Sequence, residues 1–324
     1  MSNKVLKPKK ASLYQFTQKY SNNIDNCIEF FKSMKWPEGF SCDRCGCHKY
    51  YLVKRVGKTK TSYVLECSSC HKQHSLLSGT IFQSCKIDLY KLLLGIFLFF
   101  NENKGISAVD LCSILDVNYK TALLLENKCR ILMSLSNSDK LLNSLFYEAD
   151  VFNIGAKSKN KAGRASEQQP ILGILSTDKE NNYPRFIKLR VITDYTGLSL
   201  KKNIEKCCVL SHDALLNTDG EKGFNTLNEE IQVKNEKISY EEKDHRLLWL
   251  NMIIGNIKNN ITGIYHGITK REMPLFLNEQ EYRFNHRKMG KTIMDKIKKY
   301  LQRSFPISHR QIVYILNISA PHFS

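Results

Sequence analysis

The residues with the clearest chemistry are four cysteines in two C-x-x-C pairs, Cys42 with Cys45 and Cys67 with Cys70. A C-x-x-C turn places two thiolates on one side of a tight loop, where they can fill two corners of a Zn²⁺ tetrahedron. The runs "YYLVKR" and "TSYVLEC" between the pairs predict a hairpin that joins the two metal-binding turns. Four thiolates leave no open position on the metal, so the pattern predicts a zinc ribbon whose Zn²⁺ is structural.

The remaining cysteines and histidines bear on the ligand set and the compartment. Four residues near the pairs are alternative zinc ligands, so the ligand set stays open: Cys47, His48, His71 and His74. The chain has eleven cysteines, an odd number of which five lie within residues 42–70 and the others are scattered, and this argues against a disulfide framework. We therefore expect an intracellular, reducing compartment: the nucleus for a eukaryotic chain, and otherwise the cytoplasm or nucleoid.

Two aspartates follow strand-like runs in the second half of the chain. Asp150 lies inside "FYEADVFNIG", and Asp219 ends "DALLNTDG". If these runs are neighbours in one sheet, the two carboxylates converge and can bind Mg²⁺ or Mn²⁺, which activate water or a 3′-hydroxyl to attack a phosphodiester. The alternative is that one aspartate lies in a surface turn and the other is a buried cap, because "TDG" is also a common turn sequence.

A third polar pair lies on a predicted helix, "RLLWLNMIIGNIKNN" at residues 246–260. Asn251 and Lys258 are seven residues apart, so they share one face of that helix two turns from each other. The plainer interpretation of Asn251 is a core amide that finds a hydrogen-bonding partner.

The segment from residue 86 to residue 135 reads as helical. Ser107 and Asn118 are each placed to cap a helix that follows, and the short turn between those helices gives helix–turn–helix proportions. Asn118, Tyr119 and Lys120 then begin the second helix, where residues that read the DNA major groove are found. A plain helical hairpin that only packs the domain is the alternative.

Composition favours a polyanionic partner. The formal net charge is +18, from 49 Lys and Arg against 31 Asp and Glu, which is typical of proteins that bind nucleic acid. No apolar run reaches the ~20 residues that a membrane-spanning helix needs. The N-terminus also lacks the apolar core of a secretory signal. We therefore expect a nucleic acid as the partner, which is double-stranded DNA if the predicted helix–turn–helix reads the major groove; a membrane surface is the weaker alternative.

These elements predict a multidomain chain. The second half begins with short strand-like runs and continues with helices, which is typical of an α/β domain with a mixed sheet. Residues 156–169 and 232–244 read as polar, charged loops. The predicted segments are a polar tail at 1–25, the zinc ribbon at 26–85, a helical DNA-binding segment at 86–140 and the α/β domain at 141–324.

Two longer stretches carry a resemblance to a known family. "HSLLSGTIFQSCKI" and "GISAVDLCSILDVNYKTALLLENKCRILM" resemble the Merlin-type transposases and the related bacterial insertion-sequence transposases, which join a zinc ribbon to an ISXO2-like transposase domain. In the second half, "ADVFNIGA", "NTDG", "NMIIGNIKNNITGIYHG" and "FLNEQEYRFNHR" are similar to that family's catalytic segments. The resemblance covers roughly residues 26–290.

The resemblance implies a fold, an activity and roles for individual residues. It implies a ribonuclease H-like domain of the DDE type that cuts and rejoins DNA, with structural Zn²⁺ and catalytic Mg²⁺ or Mn²⁺. Asp150 and Asp219 would hold the metal, Asn251 would take the third catalytic position, and Lys258 would hold a phosphate. Terminal inverted repeats and target DNA would be the substrates, bound by a homo-oligomer. The implied DNA-contacting residues of the second half are His266, Arg283 and Arg287, with a structural role as the alternative for His266.

The chain departs from the family pattern at three positions. Val151 replaces a Glu after the first Asp, Ala156 replaces a Gly, and Ile254 replaces an aromatic residue. These departures support a second hypothesis, a domesticated or decayed transposase that binds DNA without catalysis. A third hypothesis is a zinc-ribbon transcription regulator, which explains residues 1–135 but leaves the spacing of Asp150, Asp219, Asn251 and Lys258 to chance.

Overall fold

A computed structural model gives the fold of most of the chain. The structure describes residues 11–57, 60–137, 141–155, 168–178, 183–235, 247–287 and 293–319. By internal contacts the chain divides into two units, one of residues 1–135 with 288–312 and the other of residues 136–287 with 313–324. Within the described ranges, no helix has the length and apolarity needed to cross a membrane.

The first unit begins with two helices and a small sheet. Its elements are α1 (Leu13–Tyr20), α2 (Ile24–Lys35), β1 (Tyr50–Val56), β2 (Thr61–Cys67) and β3 (Gln73–Ser75). Strands β1 and β2 pair antiparallel with Tyr50 opposite Cys67, and β3 adds to the other edge of β2. The predicted hairpin between the two cysteine pairs is confirmed.

Helix α1 differs from the polar tail predicted for residues 1–25. The Ser12 hydroxyl accepts a hydrogen bond from the Gln15 N–H at 3.3 Å and caps the helix. One face carries Phe16 and Tyr20, both buried, and Phe16 stacks on Phe97 at 4.2 Å between ring centroids. The apolar face stabilises a helix that composition alone does not reveal; residues 1–10 lie outside the described residues.

Three helices follow the ribbon, α3 (Leu89–Asn101), α4 (Ala108–Leu115) and α5 (Tyr119–Asn137). The predicted caps are confirmed, because the Ser107 hydroxyl accepts from the Asp110 N–H at 3.1 Å and Asn118 Oδ1 accepts from the Thr121 N–H at 2.8 Å. Gly95 of α3 lies against the other two helices. A Cβ at Gly95 would lie 2.6 Å from a Leu125 methyl carbon and 2.8 Å from one of Leu115. The close approach of α4 and α5 to α3 therefore needs glycine there.

A helix from the far end of the chain completes this unit. Helix α9 (Ile293–Arg303) packs on α2 and α3. Gln302 donates to the Met34 carbonyl at 2.9 Å, and the Ser304 hydroxyl accepts from the Ile81 N–H at 3.1 Å. The sequence-based boundaries placed this segment in the 141–324 domain, whereas residues 288–312 group with the N-terminal unit. Helix α10 (His309–Ser319) follows.

The second unit is built on a five-stranded mixed sheet, as predicted. The strands are β4 (Phe146–Ile154), β5 (Gln169–Asp178), β6 (Tyr183–Val191), β7 (Leu215–Thr218) and β8 (Gln232–Asn235), in the order β6-β5-β4-β7-β8. Strands β6, β5 and β4 pair antiparallel, while β4, β7 and β8 are parallel. Strand β8 occupies the start of the predicted 232–244 loop, which is therefore wrong for residues 232–235. The rest of that loop, 236–244, and all but Gln168 and Gln169 of the predicted 156–169 loop lie outside the described residues.

Helices cover both faces of this sheet. The helical elements are α6 (Gly197–Glu205), a short 3-10 helix (Lys222–Leu227), α7 (Leu248–Gly263) and α8 (Met273–Asn285). Tyr147 and Ala149 of β4 pack in an apolar cluster with α6 and the 3-10 helix. Phe152 and Ile154 pack in a second cluster with α7 and α8. The two residues of each pair are two positions apart because strand side chains alternate between faces.

Helix α8 is anchored to the outer edge of the sheet by polar side chains. Asn285 accepts from the Ile187 N–H at 2.8 Å and donates to the Ile187 carbonyl at 2.9 Å. Glu281, which is 1% exposed, accepts from the Leu189 N–H at 3.2 Å and forms an ion pair with Lys188. These bonds satisfy backbone groups of edge strand β6 that would otherwise remain open.

Candidate zinc centre and active site

The four predicted zinc ligands converge. The Sγ atoms of Cys42, Cys45, Cys67 and Cys70 all lie within 4.8 Å of one another, with 3.6 Å between Cys42 and Cys70 and 3.5 Å between Cys45 and Cys67. Tetrahedral thiolates at the usual Zn–S distance are roughly 3.8 Å apart. The donor set therefore fits Zn²⁺.

The backbone around Cys42 supports a thiolate. Desolvation opposes ionisation there, but the Arg44 and Cys45 N–H groups donate to the sulfur and bring the pKa of Cys42 down to about 6. His74 is an alternative ligand close to this site, because one of its ring nitrogens lies within 4.8 Å of the donor atoms of Cys42 and Asp43.

The other alternative ligands have different partners. His48 Nδ1 lies 3.0 Å from the Phe40 carbonyl, and Cys47 Sγ lies 3.5 Å from the Ser68 hydroxyl. His71 lies 3.4 Å from Glu66. The structure therefore favours the four-cysteine set.

The two predicted catalytic aspartates are side by side. Strands β4 and β7 run parallel with Ala149 paired to Thr218, so Asp150 is the next residue of β4 and Asp219 is the first residue after β7. Parallel neighbours are about 4.8 Å apart and point their aligned side chains to the same face. The predicted convergence of these strands is thus present, although 69 positions separate the residues in the sequence.

Asp219 is close enough to Asp150 for its charge to act on the pKa of the Asp150 carboxyl. Burial raises the pKa of the Asp150 carboxyl, and the negative charge of Asp219 raises it further. The Val151 N–H and the charge of Lys258 act in the opposite direction. A carboxyl group whose ionisation is opposed by burial and by a nearby carboxylate lies where a divalent cation is favoured.

Helix α7 brings Lys258 to this face of the sheet. The Lys258 ammonium nitrogen lies 5.7 Å from the centre of the Phe152 ring, which is two residues beyond Asp150 on β4. Asn251 lies in the first turn of α7 with an exposed side chain, while its neighbour Leu250 is fully buried. Asn251 is therefore not the core amide of the plainer interpretation.

The residues predicted to read DNA lie at the start of α5. Tyr119 is 50% exposed, and Lys120 is exposed beside it. The Asn118 oxygen is occupied as the helix cap, bonding the N–H and hydroxyl of Thr121. All three residues are exposed, and the cap bonds occupy only the oxygen of Asn118.

The arginines predicted to contact DNA in α8 and just after it have internal partners. The Arg283 side chain is only 6% exposed and forms an ion pair with Glu279 at 2.8 Å. Arg287 donates to the carbonyls of Arg185 and Pro184 and lies over the Phe284 ring. Burial lowers the pKa of Arg287, which nonetheless stays a cation. The placement of these two arginines favours roles in anchoring α8 over the predicted DNA contacts.

His266 lies in the turn after α7. Its φ is +52°, and Gly267 next to it donates its N–H to the Ile261 carbonyl at 3.1 Å, which closes the helix end. The side chain is exposed, so the turn geometry supports the structural alternative while leaving the imidazole open to solvent.

Two of the departures from the family pattern are apolar residues that pack in the core clusters of the second unit. Val151 packs against the cluster on the opposite face of the sheet from Asp150, and Ile254 is 6% exposed in the apolar core under α7. Neither residue removes a polar group from the site. Ala156 lies outside the described residues.

One carboxylate at this face was missed from the sequence. Glu148 is 2% exposed, and its Oε2 accepts a hydrogen bond from the Leu250 N–H at 2.9 Å. Burial raises the pKa of Glu148 to about 7. The alternation of "YEADVF" was the available signal, because it places residues 148, 150 and 152 on one face.

Two family models match separate parts of the chain. Residues 146–285 match the family model described as an ISXO2-like transposase domain, and residues 23–73 match the one described as a transposase zinc-ribbon domain. No curated protein matched the chain. The first match spans β4 to α8, and the second contains all four clustered cysteines.

Proposed function

We propose that this chain, which belongs to the ISXO2-like transposase family, is a DNA transposase that binds the ends of its element and cuts and rejoins strands with a divalent metal. The observation that carries the proposal is the alignment of Asp150 with Asp219 on parallel strands, with the charge of Lys258 close enough to act on Asp150. The five-stranded mixed sheet supports the finer assignment of a ribonuclease H-like fold.

Asp150 and Asp219 would hold Mg²⁺ or Mn²⁺, since carboxylate oxygens are the ligands these ions prefer. Bound there, the metal would polarise the scissile phosphate and make a water or a 3′-hydroxyl a better nucleophile. Lys258 would hold a phosphate oxygen through its ammonium group, and Asn251 would offer an amide carbonyl as a neutral ligand. An amide leaves the site one negative charge short of three carboxylates, so metal affinity would be modest.

DNA binding would rest on the first unit and on the basic balance of the chain. Tyr119 and Lys120 lie open at the start of α5, where a recognition helix contacts DNA. The +18 net charge would neutralise phosphates and make binding fall steeply with salt. We leave Arg283 out of the proposed surface because its guanidinium is buried with Glu279. Assembly of several copies on DNA stays a prediction.

The test uses duplexes taken from the ends of the element that encodes the chain. With Mn²⁺, the protein should nick these ends and join them to a target plasmid, and Asp150→Ala should abolish both steps while binding persists without metal. Asp213→Ala is the matched control, an exposed aspartate near the opposite end of β7 that should leave activity unchanged. Binding that does not weaken between low and moderate salt would contradict the DNA-binding part of the proposal.

One observation favours a second candidate, a transposase-derived DNA-binding protein without catalysis. Asn251 stands at a position where the family resemblance allows Glu or Asn, and its amide brings no negative charge to the metal site. Tight binding of element ends by the wild type with no nicking in Mn²⁺ would establish this candidate and refute the first. Asn251→Asp then measures what the amide costs, because it restores the missing charge.

A further inference from the structure

Glu148 is a buried carboxylate that the proposed chemistry does not use. It lies two residues before Asp150 on β4, and side chains two apart on a strand share a face. Phe152, two residues after Asp150, packs against α7 on that same face. Glu148 is only 2% exposed, so a specific contact must offset the cost of placing a carboxyl there.

That contact is the first turn of α7. Glu148 Oε2 lies 2.9 Å from the backbone nitrogen of Leu250, the third residue of the helix. An N–H at this position has no acceptor within its own helix. The N-cap residue Leu247 supplies no side-chain acceptor either, so the strand provides the cap that the helix lacks. A carboxylate at a helix N-terminus is also favoured by the helix dipole.

A second contact holds α7 to the same strand eight residues later. Lys258 lies over the Phe152 ring, with 5.7 Å from its nitrogen to the ring centre. Eight helical residues rise about 12 Å, and the four strand residues from Glu148 to Phe152 rise about 13 Å. The matching lengths mean that α7 runs along β4, with the two contacts on either side of Asp150.

The sheet beneath α7 is shaped for this close approach. Gly173 of β5 pairs with Asp150, and a Cβ at Gly173 would lie 3.3 Å from the Leu250 Cδ1 atom. Leu250, the residue that Glu148 holds, therefore lies directly over the strand pair that carries Asp150. Asn251 is the next residue along the helix.

We infer that Glu148 is a positioning residue that sets the register of α7 on β4. Its carboxylate acts through the Leu250 N–H, and so it fixes Lys258 and Asn251 relative to Asp150 without touching DNA or metal. The inference rests on the proposed function, because the register matters for the reaction only if these residues perform it.

The test compares three variants of the full chain. Glu148→Ala removes the acceptor, whereas Glu148→Gln keeps a carbonyl oxygen that can accept from Leu250. Leu200→Ala is the control for stability, because Leu200 is fully buried on the opposite face of the sheet. The readouts are kcat and KM for Mn²⁺-dependent nicking of element-end duplexes, and hydrogen exchange of the amides of residues 248–252.

We expect Glu148→Ala to lower kcat about tenfold to a hundredfold with little change in KM, the size expected when catalytic groups shift by about an ångström. It should also speed exchange in the first turn of α7. Glu148→Gln should retain both properties within about threefold, and Leu200→Ala should keep kcat and the slow exchange of that turn despite its lost stability.

Two results would overturn the positioning role in an active protein. One is a Glu148→Ala enzyme whose kcat matches that of the Leu200→Ala control, and the other is a Glu148→Gln enzyme as impaired as Glu148→Ala. A wild type that binds duplexes but never nicks them refutes the proposed function itself, and with it any catalytic purpose for the register. Nicking by the wild type therefore distinguishes a failure of the positioning role from a failure of the proposed function.

Discussion

Replacing Glu281 by Gln should destabilise the second unit more than any single change at its surface. The carboxylate lies 3.2 Å from the Lys188 ammonium and 3.0 Å from the Arg190 guanidinium. The Lys188 side chain is 4% exposed, whereas that of Arg190 is 33% exposed and can be solvated. Gln keeps an oxygen that can accept from the Leu189 N–H, so the substitution removes the charge and little else.

The magnitude follows from the charge that is left behind. Removing one partner of a buried ion pair costs about 3–5 kcal/mol, because the other charge stays buried without a counter-charge; Lys188 then keeps only its hydrogen bond to the Asn137 carbonyl at 2.6 Å. That is at least about a fifth of the ~5–15 kcal/mol that stabilises a typical domain. Adding Lys188→Met removes the stranded charge, so the double variant should recover to within about 1–2 kcal/mol of the wild type.

Urea unfolding followed by tryptophan fluorescence measures this. The chain has two tryptophans, Trp36 in the first unit and Trp249 in the second. In a Trp36→Phe background, Trp249 reports the second unit alone. The control is Asp116→Asn in a Trp249→Phe background, which breaks a surface pair with Lys91 in which Asp116 is 97% exposed. That pair should contribute at most about 1 kcal/mol.

Two outcomes would refute the reasoning. A Glu281→Gln loss below about 1 kcal/mol would mean that water or a shifted side chain compensates Lys188. A double variant less stable than Glu281→Gln alone would mean that Lys188 stabilises the fold without its partner. Either result would remove the buried pair as the anchor of α8 on β6.

Three further predictions address the zinc centre, a close glycine contact and a buried phenol. Purified protein should contain one Zn²⁺ per chain at the four-cysteine site, and chelation should change the fluorescence of Trp36, whose ring centre lies 5.2 Å from that of Phe40; metal-free protein with freely titratable thiols contradicts this. Gly223→Ala should cost about 1–3 kcal/mol because its Cβ would lie 2.7 Å from the Tyr195 carbonyl oxygen, whereas Gly255→Ala on α7 meets no atom within 4 Å and should stabilise by up to about 1 kcal/mol in the same urea assay. Burial raises the pKa of Tyr147 from 10 to about 12, so its contribution to stability is complete below pH 10 and is lost as the pH rises to 12; Tyr147→Phe should flatten the loss of stability over that range, and an unchanged slope would argue against a buried phenol.

Features that depend on residues close in the sequence were predictable. The C-x-x-C pairs, the hairpin between them, and the caps at Ser107 and Asn118 each involve chain segments of a few residues or a single hairpin. Their geometry follows from local backbone preferences, which the residue types carry directly. The strand-like runs and the helix at 246–260 followed for the same reason, from the periodicity of their apolar residues.

Features that depend on distant segments were decided by the tertiary structure. The register of β4 on β7 sets Asp150 beside Asp219, and no local pattern encodes a register between strands so far apart. The packing of α9 against α2 and α3 likewise joins opposite ends of the chain. The family resemblance predicted that Arg283 contacts DNA, but in the structure its guanidinium is buried in an ion pair with Glu279.

The face of the sheet that carries Asp150 combines features that the sequence predicted with features that only the tertiary structure decided. The sequence determined that Asp150, Asn251 and Lys258 exist and that the last two share a helical face. It did not determine how that helix lies on the sheet, because the Glu148–Leu250 bond, the closeness of Leu250 to Gly173 and the Lys258–Phe152 contact each join residues far apart in the chain. Such contacts form only after the chain has folded, since the entropy of ordering both partners must first be overcome by burial of the surrounding core.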